Sequence, residues 1–264
     1  MTHAVTSSPL ETVRWTASPA APSVSVRRPD TPEGVLPFLY VHLGTEEADM
    51  FHVKQTEWEQ IHGAFPAVLI AITGNDWERD FTPWPSPHVF RGGRDFTGGA
   101  DAYLQQFTGE LVPAVEAALQ QDGLVPSARF LAGYSLAGLF ALYALYKIRA
   151  DGPAADYPFA GCVCGSPSVW YPEFREFALT EPLPPTWRYF YGSVGDREGK
   201  SKNPRLAPVE DNLRAITDRL QARGIQTAFV LNEGGHFNDP AGRLWQGLCQ
   251  VLRWTGSDSL PEHP

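Results

Sequence analysis

The chain has 264 residues, a formal net charge of −9 and a hydrophobic fraction of 43%, a composition that suits a packed globular core and excludes a disordered chain. The acidic balance and the lack of any Lys/Arg run argue against a nucleic-acid partner. Residues 1–30 hold no apolar run of signal-peptide length, and no stretch approaches the roughly 18 apolar residues of a membrane-spanning helix. We therefore expect a soluble, cytoplasmic protein with no membrane partner, and the oligomeric state stays open.

Strand patterns alternate with helix patterns along the chain. Strands are predicted at residues 12–15, 24–28, 38–43, 68–73, 129–132, 159–164, 187–193 and 225–231. Helices are predicted at 136–149, 209–223 and 242–254, and at 102–120 with a bend or restart near Gly109, because Pro113 cannot donate its backbone hydrogen bond. This alternation predicts an α/β fold with a mostly parallel, doubly wound sheet and helices on both faces.

No composition break divides the chain into two domains. We expect a partly loose N-terminal segment, residues 1–30, that leads into edge strands, a single domain over residues 31–257, and a polar tail over residues 258–264. Cys162 and Cys164 are two residues apart and would share one face of a strand. With Cys249 they are predicted to be buried thiols in a reducing compartment.

The strongest local motif lies at residues 130–139, where an apolar strand meets an apolar helix across Gly133-Tyr-Ser-Leu-Ala-Gly138. Small residues let strand and helix approach closely, which exposes the hydroxyl of Ser135 at the carboxyl end of the sheet. The usual pattern is Gly-x-Ser-x-Gly, whereas here Ala137 holds the last position. The motif predicts a serine nucleophile, although a turn with a capping serine would look similar.

A serine nucleophile needs a base, which in this kind of fold follows an acidic residue along the chain. His236 comes after two glycines at the end of the strand predicted at 225–231, and is the best base among seven histidines. Asp196 and Glu198 both follow the preceding strand. Because parallel strands end at one edge of the sheet, either carboxylate is placed to orient the imidazole.

Several motifs between Phe38 and Phe237 together resemble the putative-esterase branch of the α/β-hydrolases, which includes the enterochelin and salmochelin esterases, esterase D and the mycolyltransferases. The matching segments are Asp80-Phe-Thr-Pro83, Glu110-Leu-Val-Pro113, Gly133-Tyr-Ser-Leu-Ala-Gly138, Ser166-Pro-Ser-Val-Trp170, Val194-Gly-Asp-Arg-Glu198 and Gly235-His236. The resemblance implies an α/β-hydrolase fold and a serine esterase that acts through an acyl-enzyme on a small-molecule ester, a siderophore-like lactone being one such substrate.

The resemblance also implies roles for single residues. Siderophore-esterase-like members often have Gly-x-x-Glu at the acid position, so Glu198 is the first candidate for the triad acid and Asp196 is the second. The oxyanion hole would pair the amide of Leu136 with an amide near Gly44 or Thr45, where Leu43-Gly44 replaces the familiar Asp-Gly. The implied mechanism needs no cofactor, and the sequence has no motif for a metal site.

Aromatic and charged residues are predicted to form the substrate pocket. On the family pattern, Tyr134, Trp170 and Phe237 surround the nucleophile. Arg79 lies in a loop near the expected mouth, where it would bind an anionic or catecholate group, or else pair with a neighbouring aspartate. Two alternatives to an esterase stay open: an acyltransferase with the same catalytic residues, and a binding protein that keeps the fold without turnover.

Overall fold

The computed structural model describes residues 11–13, 22–29, 34–148 and 157–256. The predicted tail 258–264 and most of the predicted N-terminal segment 1–30 lie outside these residues, as do Trp15 and Arg149 at the ends of two predicted elements. The strands are β1 Glu11–Val13, β2 Ser23–Arg27, β3 Gly34–His42, β4 Val68–Thr73, β5 Pro85–Ser86, β6 Phe96–Thr97, β7 Leu124–Tyr134, β8 Gly161–Gly165, β9 Tyr189–Gly195 and β10 Gln226–Asn232.

The α-helices are α1 Thr45–His62, α2 Trp77–Asp80, α3 Ala100–Gln106, α4 Val112–Gln121, α5 Ser135–Lys147, α6 Phe174–Thr180, α7 Val209–Ala222 and α8 Pro240–Trp254. A π-helical turn, Phe107–Leu111, joins α3 to α4, and a short 3₁₀ turn, Glu198–Lys200, follows β9. The π turn is centred on Gly109, where the sequence predicted a bend. Pro113, at the start of α4, lacks the N–H that a regular helix would use there.

Eight strands form one sheet in the order β1-β2-β4-β3-β7-β8-β9-β10, and β5 pairs with β6 in a separate small hairpin. The pairs from β4 through β10 are parallel, while β1 with β2 and β2 with β4 are antiparallel. The chain adds β4 on one side of β3 and β7 on the other. This reversal opens a crevice at the carboxyl ends of β3 and β7, the usual place for a ligand in such sheets.

Both faces of the sheet are covered, which explains why its strands are almost continuously apolar. In β3, Phe38 and Tyr40 face the side that carries α3, α4, α5 and α7, while Leu39 and Val41 face α1 and α8. All four side chains are fully buried. The predicted α/β, mostly parallel and doubly wound architecture is therefore confirmed.

The sequence missed α1, an 18-residue helix that packs against α8. Its buried side is a narrow stripe that includes Phe51, Gln55 and Trp58, while the apolar side chains of Met50, Val53 and Ile61 are exposed. So weak an apolar period does not predict a helix. The short helices α2 and α6 and the β5–β6 hairpin were also missed, since none is long enough to show a period.

The cysteines lie where the sequence placed them. Cys162 and Cys164 are fully buried on the same face of β8, with their Sγ atoms 3.7 Å apart. These two and Cys249 are free, buried thiols. The reducing compartment that we inferred from them remains a prediction.

Candidate active site

Ser135 lies at a sharp turn where β7 passes directly into α5. Its φ of +56° is in the left-handed region, an unfavourable conformation for a residue with a side chain. Gly133 makes this turn possible: an added Cβ there would lie 2.4 Å from the carbonyl carbon and 2.8 Å from the Cβ of Ala137. Because Gly133 leaves this space, the methyl group of Ala137 fits where the common motif has glycine.

Three side chains from separate strand ends form one hydrogen-bonded chain. The Nε2 atom of His236, which follows β10, is 3.0 Å from Ser135 Oγ. Its Nδ1 atom is 2.8 Å from Glu198 Oε2, just beyond β9. The structure thus brings together the serine, the histidine and one of the two carboxylates that the sequence singled out. This is the geometry that proton transfer from a serine hydroxyl requires.

The carboxylate of Glu198 is nearly buried, with 7% of its side chain exposed. Its Oε1 atom accepts hydrogen bonds from the Gly195 amide and the Ser166 hydroxyl, both at 2.7 Å. Burial alone would raise the pKa of Glu198, but its hydrogen bonds and the charge of His236 outweigh that effect and lower the pKa below its ordinary value. The group is therefore held as a carboxylate facing the imidazole.

Asp196 has a different position. Its Oδ1 atom accepts a 2.8 Å hydrogen bond from the Gly234 amide, and its own amide donates to the Asn232 carbonyl at 2.8 Å. Asp196 thus braces the loop that carries His236, while Glu198 contacts the imidazole.

Arg243, on α8, is a residue that the sequence analysis missed. Its side chain is 4% exposed, and one guanidinium nitrogen lies 3.1 Å from the Tyr134 hydroxyl, 3.1 Å from Ser166 Oγ and 3.4 Å from Glu198 Oε1. These partners follow or end three different strands. A buried cation therefore links the elbow strand to the carboxylate.

The same guanidinium also holds the histidine loop. Its second terminal nitrogen donates to the carbonyl groups of Glu233 and Gly235, at 3.0 and 3.1 Å. The Tyr134 hydroxyl donates to the carbonyl of His236 at 2.7 Å. A charged residue on the buried side of α8 was the one available signal for this role, and it is visible only once the orientation of the helix is known.

The predicted oxyanion donors lie at the first turns of two helices, where amides have no acceptor within the helix. Leu136 is the second residue of α5, and Thr45 is the first residue of α1. The amide of Gly44, the other predicted donor, is already used: it donates to Glu47 Oε2 at 2.9 Å. Thr45 is therefore the remaining candidate to pair with Leu136, and both assignments stay predictions.

A cavity of about 420 Å³ opens on Ser135 and His236. Trp170 and Phe237, both predicted to contact substrate, line it, and 85% of Phe237 is exposed. The remaining lining residues are Phe90, Arg197, Glu198, Ser201, Leu206, Val209 and Gly235. The cavity is thus mostly apolar, with its polar groups gathered around the hydrogen-bonded chain, as in many small-molecule sites.

Two other residues predicted to contact substrate do not line this cavity. Tyr134 is buried beneath it, where its hydroxyl holds the histidine loop. Arg79 donates from Nε to Asp80 Oδ1 at 2.7 Å, so it has the alternative role of pairing with an aspartate.

A larger cavity, of about 750 Å³, lies on the other side of the histidine loop, against α1 and α8. It shares Arg197 with the first cavity but includes none of Ser135, Glu198 and His236. The smaller cavity is therefore the candidate for the chemistry.

Within the described residues, no three His, Cys, Asp or Glu side chains cluster closely enough to hold a metal ion. Over the same residues, no helix has the length and apolar character needed to cross a membrane.

Comparisons with known proteins agree with this fold. A family model described as "Putative esterase" matches residues 18–236. The uncharacterized protein YbbA of Bacillus subtilis strain 168 is 28% identical over 200 residues, which cover 74% of each chain. The siderophore hydrolase EstA from Aspergillus nidulans is similar in structure, with 21% identity, a TM-score of 0.62, and coverage of 89% of this chain and 91% of that one.

An IroE-like serine hydrolase from Shewanella oneidensis is similar as well, with 19% identity, a TM-score of 0.69, and coverage of 90% of this chain and 77% of that one. The parallel sheet and the family match together define a carboxylic-ester hydrolase of the α/β-hydrolase fold. The chain belongs to the "Putative esterase" family, and the resemblance stated from the sequence is confirmed.

Proposed function

We propose that this protein hydrolyses a small-molecule carboxylic ester. Ser135 is the nucleophile, His236 is the general base, and the carboxylate of Glu198 orients the imidazole of His236. The observation that supports this most directly is the chain of two hydrogen bonds from Ser135 Oγ through both imidazole nitrogens to Glu198. A buried carboxylate on Nδ1 keeps the proton on that nitrogen, which leaves Nε2 free to accept the serine proton.

In the first half of the reaction, Ser135 Oγ attacks the ester carbonyl carbon as its proton passes to His236 Nε2. The amides of Leu136 and Thr45 then donate to the oxyanion of the tetrahedral intermediate. Collapse breaks the bond to the alcohol, which leaves with the proton from Nε2. An acyl group remains on Ser135.

In the second half, water attacks the acyl-enzyme and gives its proton to His236. Collapse releases the carboxylic acid and restores the Ser135 hydroxyl. The apolar walls around Trp170 and Phe237 would hold the acyl or alcohol group. No step requires a metal or an organic cofactor.

For the substrate we propose an ester of the siderophore-like lactone type. Its support is the similarity to the siderophore hydrolase EstA and to an IroE-like serine hydrolase, together with a cavity that has aromatic walls.

A fluorophosphonate probe tests the nucleophile. We expect the wild-type protein to be labelled and Ser135→Ala not to be, with kcat on a nitrophenyl ester reduced at least about 10⁴-fold. His236→Ala should also abolish rapid labelling. The matched control is Ser168→Ala, whose hydroxyl lies 3.4 Å from Ser135 Oγ and which should still be labelled. Labelling of Ser135→Ala, or none of the wild type beside an active serine hydrolase, would reject the proposal.

Adding an alcohol acceptor to the same ester assay distinguishes hydrolysis from acyl transfer. A hydrolase forms mainly the free acid, whereas an acyltransferase forms mainly the new ester. Predominant ester formation at modest acceptor concentration would reject hydrolysis as the main reaction.

A further inference from the structure

The cavity beside Ser135 has a single cationic side chain of Lys or Arg among its described lining residues, that of Arg197. Most of the other walls are apolar: Phe90, Trp170, Leu206, Val209 and Phe237. Arg197 immediately precedes Glu198, so its position follows from the turn that carries the carboxylate. Arg197 therefore lies beside the catalytic centre, where it lines both this cavity and the larger one on the other side of the histidine loop.

Arg197 differs from Arg79, Arg94 and Arg205 because its guanidinium makes no hydrogen bond or ion pair with any described residue. Arg79 pairs with Asp80, and Arg94 pairs with Asp76. By contrast, the hydrogen bonds of Arg197 within the described chain all involve its backbone: its amide donates to the Gly234 carbonyl at 3.1 Å, and its carbonyl accepts from the Lys200 amide at 3.2 Å. An unpaired guanidinium at the edge of an apolar cavity is available to a ligand.

The third of these, Arg205, is engaged at the cavity wall. It donates to the Pro87 carbonyl at 2.6 Å and lies over the Trp170 ring, 5.5 Å from the ring centre. Its charge adds to that of Arg197, but its two terminal nitrogens already donate to Pro87, His88 and Ser86.

The segment that forms this side of the cavity is basic, although the whole chain has a net charge of −9. Residues 197–205 contain Arg197, Lys200, Lys202 and Arg205, but only one carboxylate. That carboxylate, Glu198, is paired with His236. This segment therefore adds positive charge beside the cavity, although the chain as a whole is acidic.

We propose that the natural substrate is an anionic ester, whose negatively charged group is bound by the guanidinium of Arg197 while its apolar part packs against Trp170 and Phe237. The proposal rests on the function proposed above. A carboxylate is the simplest such group, since it accepts two parallel hydrogen bonds from a guanidinium. Arg197 is then the residue that selects charged over neutral esters.

Matched esters test the proposal. One pair is the mono-nitrophenyl ester of glutaric acid and its methyl ester, which differ by a charge on the acyl side. The second pair is the acetate of para-hydroxybenzoate and that of its methyl ester, which differ by a charge on the alcohol side. The quantity compared is kcat/KM for the charged ester divided by kcat/KM for its neutral partner, in wild type and variants, so that intrinsic reactivity cancels.

In at least one pair, we expect Arg197→Gln to lower this ratio about tenfold, since a solvent-accessible guanidinium–carboxylate contact is weaker than a buried one. Arg197→Lys should retain part of the ratio. Whatever effect the substitution has on the neutral esters, the kcat/KM of the charged ester should fall further than that of its neutral partner, because only the charged group contacts the guanidinium. The matched control, Arg79→Gln, should keep the wild-type ratio. An unchanged ratio in Arg197→Gln for both pairs would overturn the proposal.

Binding to Ser135→Ala separates this proposal from the catalytic one. By calorimetry, this variant should bind the glutarate monoester about tenfold more tightly than its methyl ester, and the added Arg197→Gln substitution should remove the difference. Equal binding, with wild-type turnover of neutral esters intact, would reject the anionic substrate and leave the esterase proposal standing. Loss of fluorophosphonate labelling would instead reject the catalytic assignment.

Discussion

The two halves of the proposed triad are held in place by different means. Ser135 is positioned by its backbone, through a strained φ and the close approach of β7 and α5 at Gly133. Glu198 and His236 lie on loops beyond β9 and β10, and side chains from elsewhere hold those loops, above all Arg243. A short motif is therefore enough to position Ser135, whereas the rest of the site depends on contacts between distant parts of the chain.

The largest effect on kcat should come from Glu198, which belongs to the part of the triad that side chains hold in place. Glu198→Gln is expected to lower kcat by about 10³- to 10⁴-fold, because a neutral amide neither fixes the imidazole tautomer nor stabilises its protonated form. Asp196→Asn, which alters only the loop brace, should lower kcat less than about tenfold. Steady-state kinetics on a nitrophenyl ester measure both. A larger loss of kcat in Asp196→Asn than in Glu198→Gln would assign the orienting role to Asp196 instead.

Gly133 is the best position at which to disturb the backbone turn that positions Ser135. Gly133→Ala places a methyl group 2.4 Å from the carbonyl carbon of Ala137, so strand and helix must move apart, and we expect a loss of about 3 kcal/mol in the free energy of unfolding. Urea denaturation measures this. Gly109→Ala is the matched control, since its added Cβ has no neighbour within 4 Å. Equal stability of the two variants would contradict a close-packed elbow.

The sequence predicted the backbone half well for a physical reason. A strand-to-helix turn that depends on small residues leaves its mark within six consecutive positions, 133–138. The apolar runs of β4 and β8 and the periodic helix α7 were also predicted, with ends that differ by a few residues. The first residues of β7 were not predicted, because Pro126 is unusual within a strand. In the structure, Pro126 nevertheless pairs with Leu36, just before a register shift.

The part of the site that side chains hold in place, around Glu198 and His236, was predicted only in part. The order of the residues and the positions of strand ends led to His236 and to two carboxylates, and the family resemblance favoured Glu198. Arg243 left no local signal, because its partners are 8 to 109 residues away along the chain. Sequence also left open whether Arg79 would contact substrate or an aspartate, a choice that depends on how the loop folds.

Arg243 offers a way to loosen the loops that carry Glu198 and His236 without substituting any residue of the proposed triad. Arg243→Met should lower kcat about 10- to 100-fold with little change in KM, because small displacements of a base from its nucleophile are costly, and should lower the free energy of unfolding by about 2 kcal/mol. Arg243→Lys should recover part of the kcat.

The matched control for Arg243 is Arg214→Met, which removes an exposed ion pair with Glu210 and should change stability by less than about 1 kcal/mol. Equal kcat in Arg243→Met and wild type would show that the two loops hold their positions without the guanidinium.

The smallest effect concerns pH. Because the folded-state pKa of Glu198 is lowered from its ordinary value of 4.5, the ionised carboxylate stabilises the folded protein above that pH, and this contribution is lost as the pH falls through the lower, folded-state pKa. The wild type should therefore lose stability relative to Glu198→Gln only below about pH 4.5. Urea titrations of both proteins between about pH 6 and pH 3 measure the difference, which spans the ordinary range of a glutamate pKa. A difference that stays constant throughout would mean that the carboxylate gains nothing from its partners on folding.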